Sequence, residues 1–172
     1  MAVAYRTLPP EPGRTALLEA LVSALSGFFR DNLVSVVLFG SVARGEAGEL
    51  SDLDLLIVCE ELPGSRWKRY ALFHEALAAL KGMLEELAHQ HYYPEFRPIL
   101  KTRPEAEVRT PIYLDMVEDA RILYDKAEFF AGVLANLCRR LAELGARRVF
   151  LKDGSWYWDL KPDYRFGEIF EI

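Results

Sequence analysis

The sequence predicts an α+β protein with a mixed sheet, and three observations carry that prediction. Residues 33–39 are an apolar run rich in β-branched side chains, and 50–58 is a second strand pattern with Asp-Leu-Asp-Leu alternation. Residues 15–32, 67–90 and 129–144 place apolar residues at steps of three and four, the period of a helix with one buried face. The elements follow in the order helix, strand, strand, helix, strand, then helices and a hairpin, which asks for a mixed sheet with helices against it.

In the first helical segment the buried stripe is Leu18, Leu21, Val22, Leu25, Phe28 and Phe29, with Thr15 placed as its N-cap. Leu33 to Phe39 reads as a buried strand that stops at Gly40. Ser41 to Arg44 fits one helical turn, broken by Gly45 to Gly48, and the second strand follows over 50–58. Phe73, Leu77, Leu80, Leu84 and Leu87 mark one face of a second long helix, and Phe96 to Lys101 a third strand. Pro111 opens a short helix to Ala120, Ile122 to Tyr124 is a short strand, and the helix from Phe129 ends at Gly145. Asp153-Gly154 is a hairpin dipeptide between Arg148–Leu151 and Trp156–Leu160. With no internal repeat, low-complexity run or long linker, the expected organisation is an N-terminal extension over 1–14, a core over 15–124, and a C-terminal helix and hairpin over 125–172 packed on that core, one domain overall.

Composition narrows the function classes. The chain has 172 residues, 51% hydrophobic and 27% charged, the balance of a globular protein with a real core. No segment approaches the roughly 20 apolar residues of a membrane span, and 1–14 lacks the apolar stretch of a signal peptide, so a cytoplasmic location is expected. A net charge of -5 argues against general nucleic-acid binding, which needs a surplus of Lys and Arg on one face. Arg139-Arg140 and Arg147-Arg148 read as charges favourable at helix C-termini. Cys59 and Cys138, each among apolar residues, are expected to be buried free thiols.

The chemistry concentrates in Phe39-Gly40-Ser41-Val42-Ala43-Arg44-Gly45 and Ser51-Asp52-Leu53-Asp54-Leu55. A glycine at a strand end lets backbone approach a phosphate, Ser41 adds a hydroxyl, and the start of the helical turn presents free amides to an anion. Asp52 and Asp54 alternate onto one strand face, roughly 6 to 7 Å apart at about 3.3 Å per residue. Such a pair repels: at 4 Å and an effective dielectric of 20 the cost is about 4 kcal/mol, so a partly buried pair wants a cation or a proton. Magnesium fits, held by one or two carboxylates with triphosphate oxygens and water completing its shell. A pair of metals about 3.5 to 4 Å apart would polarise the α-phosphate and activate an attacking hydroxyl.

Gly40-Ser41, ten intervening residues, then Asp52-Leu53-Asp54 resembles the signature of DNA-polymerase-β-type nucleotidyltransferases, and Ala43-Arg44-Gly45 with Ser51 resembles their small prokaryotic members. The resemblance implies the polymerase-β-like nucleotidyltransferase fold, Mg-dependent transfer of a nucleoside monophosphate from a triphosphate such as ATP, and release of pyrophosphate. It also implies a third carboxylate on a neighbouring strand. Glu95, before Phe96, is the candidate, although Arg97 lies on the same alternating face and an Arg–Glu ion pair accounts for Glu95 equally. Among small members it implies a toxin–antitoxin role in which a helical HEPN-type partner protein is modified. A small-molecule hydroxyl, or a binding module without turnover, are the other readings. Arg44 is read either as a triphosphate ligand or as an exposed loop arginine, and Trp156 and Trp158 either as a base-stacking platform or as packing against the sheet. His74-Glu75 lacks the second histidine of a zinc-protease motif, since residue 78 is Ala78; His89 and His91 read as solvated. The sequence leaves oligomeric state open.

Overall fold

A computed structural model of the chain describes residues 7–48 and 50–172. Two antiparallel strands, β1 (Leu33–Phe39) and β2 (Leu53–Cys59), form its centre, with Phe39 beside Asp54 at one end. β3 (Phe96–Thr102) adds parallel to β2, and β4 (Arg121–Asp125) adds antiparallel to β1, giving the order β3-β2-β1-β4. The sheet is therefore mixed, as the element order requires. A parallel neighbour needs a crossover. It is supplied by α3 (Arg66–Leu77), a 3₁₀ turn at Ala78–Leu80 and α4 (Lys81–His89).

Both faces of β1 and β2 are covered, which explains their almost continuous apolar sequence. Val36, Leu38, Leu55 and Ile57 join a core with α1 (Gly13–Phe29), α3 and α4. Val34, Val37, Leu56 and Val58 join a second core with α6 (Ile112–Asp119) and α7 (Phe129–Leu144). Ser35 is the polar exception in β1. Its hydroxyl donates to Asp125 at 2.6 Å, and Asp125 also accepts from the Phe130 and Ala131 amides, so one carboxylate satisfies a buried hydroxyl and caps α7.

Several boundaries differ from the sequence reading for identifiable reasons. Helix α1 starts two residues before Thr15, whose hydroxyl and amide both donate to Glu11, so Thr15 lies in the first turn and is not its N-cap. The second strand starts at Leu53 and not at residue 50, because residues 50–52 belong to the turn that leads into it. The segment 67–90 is two helices with a 3₁₀ turn between them; apolar spacing at three and four is compatible with both forms. A short helix α5 (Arg103–Glu107) was not anticipated, although Thr102-Arg103-Pro104-Glu105 carries its signature: a capping box between Thr102 and Glu105 with proline in the first turn. Glu105 also takes both ends of the Arg69 guanidinium, at 2.6 and 2.9 Å, and that hydrogen bonding lowers its pKa to about 2. Cys59 is buried, its thiol pKa pushed up to about 12 chiefly by desolvation, whereas Cys138 is exposed on the outer side of α7, contrary to expectation.

The C-terminal strands β5 (Arg147–Phe150) and β6 (Trp156–Asp159) pair only with each other and pack on α6. Trp156 and Trp158 thus do not lie on the central sheet: both indole N–H groups donate to Asp115 of α6, at 3.1 and 3.0 Å. Arg148, expected to favour a helix end, is instead almost buried between those rings and the acids of α6. No helix among the described residues is long and apolar enough to cross a membrane.

Candidate active site

The end of β1 decides where the site lies. Phe39 pairs with Asp54, and the chain then turns at Gly40 into α2 (Gly40–Arg44), closed by left-handed Gly45. Gly40 itself has φ +74°. A Cβ built there would overlap the Asp54 carboxylate, so glycine is required twice, by conformation and by space. Gly40→Ala is expected to cost about 1–2 kcal/mol for the left-handed backbone alone, read as a melting-temperature drop of several degrees, and to displace Asp54. A melting temperature equal to wild type would show that the turn relaxes without penalty.

Asp54 lies at the start of β2 on the face shared with Leu56 and Val58, and Asp52 immediately precedes the strand. Burial raises the Asp54 pKa, and the neighbouring Asp52 charge raises it further; Arg97 and Arg44 act in the opposite direction. The two carboxylates therefore sense one another, although Asp52 lies before the strand and not within the alternating stretch expected over 50–58. Arg97, register partner of Asp54 on β3, places its Nε 2.7 Å from Asp52 and a terminal nitrogen 3.6 Å from Glu95. Glu95 itself is half exposed just before β3, and its carbonyl accepts the Leu53 amide at 2.8 Å. The residue beside Asp54 on the neighbouring strand is thus an arginine, with Glu95 one turn of the alternation earlier.

Two cavities meet at Phe39 and Ile112. One, of about 320 Å³, is lined by Asp54, Tyr70, Glu95 and Arg97; the other, of about 180 Å³, by Gly40, Arg44, Asp115 and Asp119. Asp54 and Glu95 thus open onto space adjoining Gly40 and Arg44, whereas Asp52 and Ser41 line neither cavity. A larger cavity of about 440 Å³ lies past Tyr70, against Trp67 and Pro98, and holds no carboxylate. Arg44 reaches the second cavity but is already engaged: Glu46 accepts from its Nε at 2.7 Å, and its guanidinium lies 4.8 Å from the Trp156 ring centre. Trp156 is a contact that the sequence could not assign, because it joins residues 112 positions apart. The loop leading to Asp52 is tied down by Ser51, which accepts from the Gly48 amide at 3.0 Å, and by Thr7, which donates to the Ser51 carbonyl at 3.0 Å.

Among the described residues no group of three or more His, Cys, Asp or Glu gathers to hold a metal by itself, and His89 and His91 are exposed. Two oxygen-bearing carboxylates, one of them desolvated, nevertheless suit a hard divalent cation that brings further oxygens with it. The strand-end glycine turn thus abuts Asp54 on the adjacent antiparallel strand, with Asp52 just before that strand. The chain belongs to the nucleotidyltransferase domain family, whose model matches residues 18–143. It is similar to "Putative protein adenylyltransferase MJ1305" of Methanocaldococcus jannaschii, 28% identical over 123 residues, covering 70% of this chain and 78% of that protein. Among solved structures it is similar to a toxin–antitoxin crystallised with AMP-PNP (18% identity, 72% of this chain and 91% of that one, TM-score 0.43) and to the toxin–antitoxin MntA-HepT (16% identity, 76% and 92%, TM-score 0.43).

Proposed function

We propose that the protein transfers AMP from Mg-ATP to a hydroxyl of a partner protein in the cytoplasm. The observation that carries this reading is the placement of partly buried Asp54 against the Gly40 turn, close enough to Asp52 for the two like charges to repel, an arrangement that suits a cation. Asp52 and Asp54 would hold magnesium, whose contribution is to offset charge on the phosphate oxygens. The Gly40-Ser41 amides and the Ser41 hydroxyl bind the distal phosphates, and Arg44 lies at the edge of the same space. Glu95, exposed at the mouth of the carboxylate cavity, accepts the proton of the incoming hydroxyl.

A protein acceptor is favoured over the alternatives by charge and size. The net charge of -5 does not attract a polyanionic acceptor. The carboxylate cavity is shallow and small, so an acceptor that brings its own surface completes it. The relative named as a protein adenylyltransferase points the same way, and the family resemblance makes a HEPN-type protein the partner of choice. The competing reading is a nucleotide-binding module without turnover, and the Arg97–Asp52 ion pair is the observation in its favour.

Incubation of the purified protein with labelled ATP, magnesium and lysate of the native host, followed by mass spectrometry, separates these readings. The expected result is AMP on a protein hydroxyl, lost with Asp52→Asn. Label confined to RNA or a small molecule would reject the protein acceptor, and ATP binding with no label on anything would favour the binding module.

A further inference from the structure

The guanidinium of Arg97 sits where a cation is wanted. It contacts Asp52 at 2.7 Å and Glu95 at 3.6 Å, and its own strand position is in register with Asp54. Stability does not explain this placement. The Arg97 side chain is 61% exposed, and an ion pair so exposed contributes between nothing and about 1 kcal/mol. A cation that binds Asp52 competes with the Arg97 charge for the same carboxylate.

The register shows where the displaced group can go. Phe39, Asp54 and Arg97 lie side by side on three successive strands, β1, β2 and β3, and Gly40 directly follows Phe39. Neighbouring strands are about 4.8 Å apart, and an extended arginine side chain spans more than one such spacing. A phosphate lying between the Gly40 turn and the carboxylates is consequently within reach of Arg97, from the side opposite the turn. Guanidinium groups fork onto phosphate oxygens with two parallel hydrogen bonds. Arg44, in contrast, approaches from the α2 side and is held by Glu46 and Trp156.

We propose that Arg97 is a nucleotide-binding residue that serves as the counter-cation of Asp52 and exchanges that carboxylate for the phosphate nearest the carboxylates when metal-nucleotide binds. The inference rests on the nucleotide-transfer reading above and adds an order to it. Free divalent metal meets competition from Arg97, whereas metal arriving with a nucleotide supplies Arg97 with a new partner. Arg97 thereby disfavours the free ion and favours its nucleotide complex.

The signature is a pair of effects with opposite signs. Binding of Mn²⁺ alone, followed by the electron paramagnetic resonance signal of the free ion, is expected to tighten severalfold in Arg97→Gln. Binding of Mn²⁺ with α,β-methylene-ATP is expected to weaken by about tenfold or more, the loss of charged hydrogen bonds to an anion. Arg97→Lys keeps the charge and loses the fork, so its affinity for Mn²⁺ alone should stay near wild type while nucleotide binding still falls. Circular dichroism of each variant checks the fold. Both affinities unchanged, or both moving in one direction, overturns the role of Arg97 while leaving nucleotide binding by the wild type intact. Failure of the wild type itself to bind Mn²⁺ with the nucleotide overturns this inference together with the reading beneath it.

Discussion

Asp54→Asn is expected to reduce nucleotidyl transfer by about a thousandfold, roughly 4 kcal/mol of lost transition-state stabilisation, without destabilising the metal-free protein. The two halves of this expectation come from the same environment. Burial and the Asp52 charge raise the Asp54 pKa, so ionising it in the folded chain costs free energy that the unfolded chain does not pay. The folded state holds the proton more tightly, and the stability gained from that proton is present below the unfolded pKa and lost as pH rises through the folded one. Near neutral pH, then, asparagine relieves a penalty. The melting temperature in chelator should equal or exceed that of wild type, and the wild-type disadvantage should shrink as pH falls through the acidic range where Asp54 takes up its proton. A lower melting temperature for the variant in chelator would show that the Asp54 charge is structural. Transfer close to wild type would remove it from the chemistry.

Arg148→Ala should have the largest effect on stability. Arg148 is 7% exposed and stands against Asp119 at 2.8 Å, Glu118 at 3.4 Å and Asp115 at 3.6 Å, with the rings of Trp156 and Trp158 at 5.2 and 5.5 Å. These acids lie on one side of α6, at spacings of three and four, and Arg148 is the cation common to all of them. Truncation leaves Asp119, largely buried, without that partner and removes the tie between hairpin and helix. Breaking a fully buried pair costs about 3–5 kcal/mol; partial exposure of Asp115 and Glu118 lowers the expectation to about 2–4 kcal/mol. For a chain of this length that is a fall in melting temperature of roughly 5–15 °C. Tryptophan fluorescence should shift as Trp156 and Trp158 gain solvent. Because Trp156 also stacks on Arg44, nucleotide affinity is expected to fall alongside stability. A change within one degree would mean that apolar contacts alone hold the hairpin.

The parts of the site closest in sequence were the parts most readily read. Gly40-Ser41 and Asp52-x-Asp54 are local patterns, of which Asp54 falls inside β2 and Asp52 just before it. Phe129 to Leu144 was likewise bounded by its own periodicity and a glycine stop. Interruption of the helix after Leu77 was not legible, because a 3₁₀ turn preserves apolar spacing at three. The α5 capping box is legible in Thr102-Arg103-Pro104-Glu105. Cys138 was misplaced because apolar neighbours in sequence say nothing of the helix face on which a residue falls.

By itself the sequence determined the mixed α+β class and the strand over residues 33–39 that stops at Gly40, since each follows from backbone geometry over a few residues. Only the tertiary structure decided that Arg97 lies beside Asp54 and holds Asp52, that Arg148 gathers the acids of α6, and that Trp156 reaches Arg44. Those relations depend on strand register and on how a hairpin docks against a helix, and both are fixed by packing between segments that are distant in the chain.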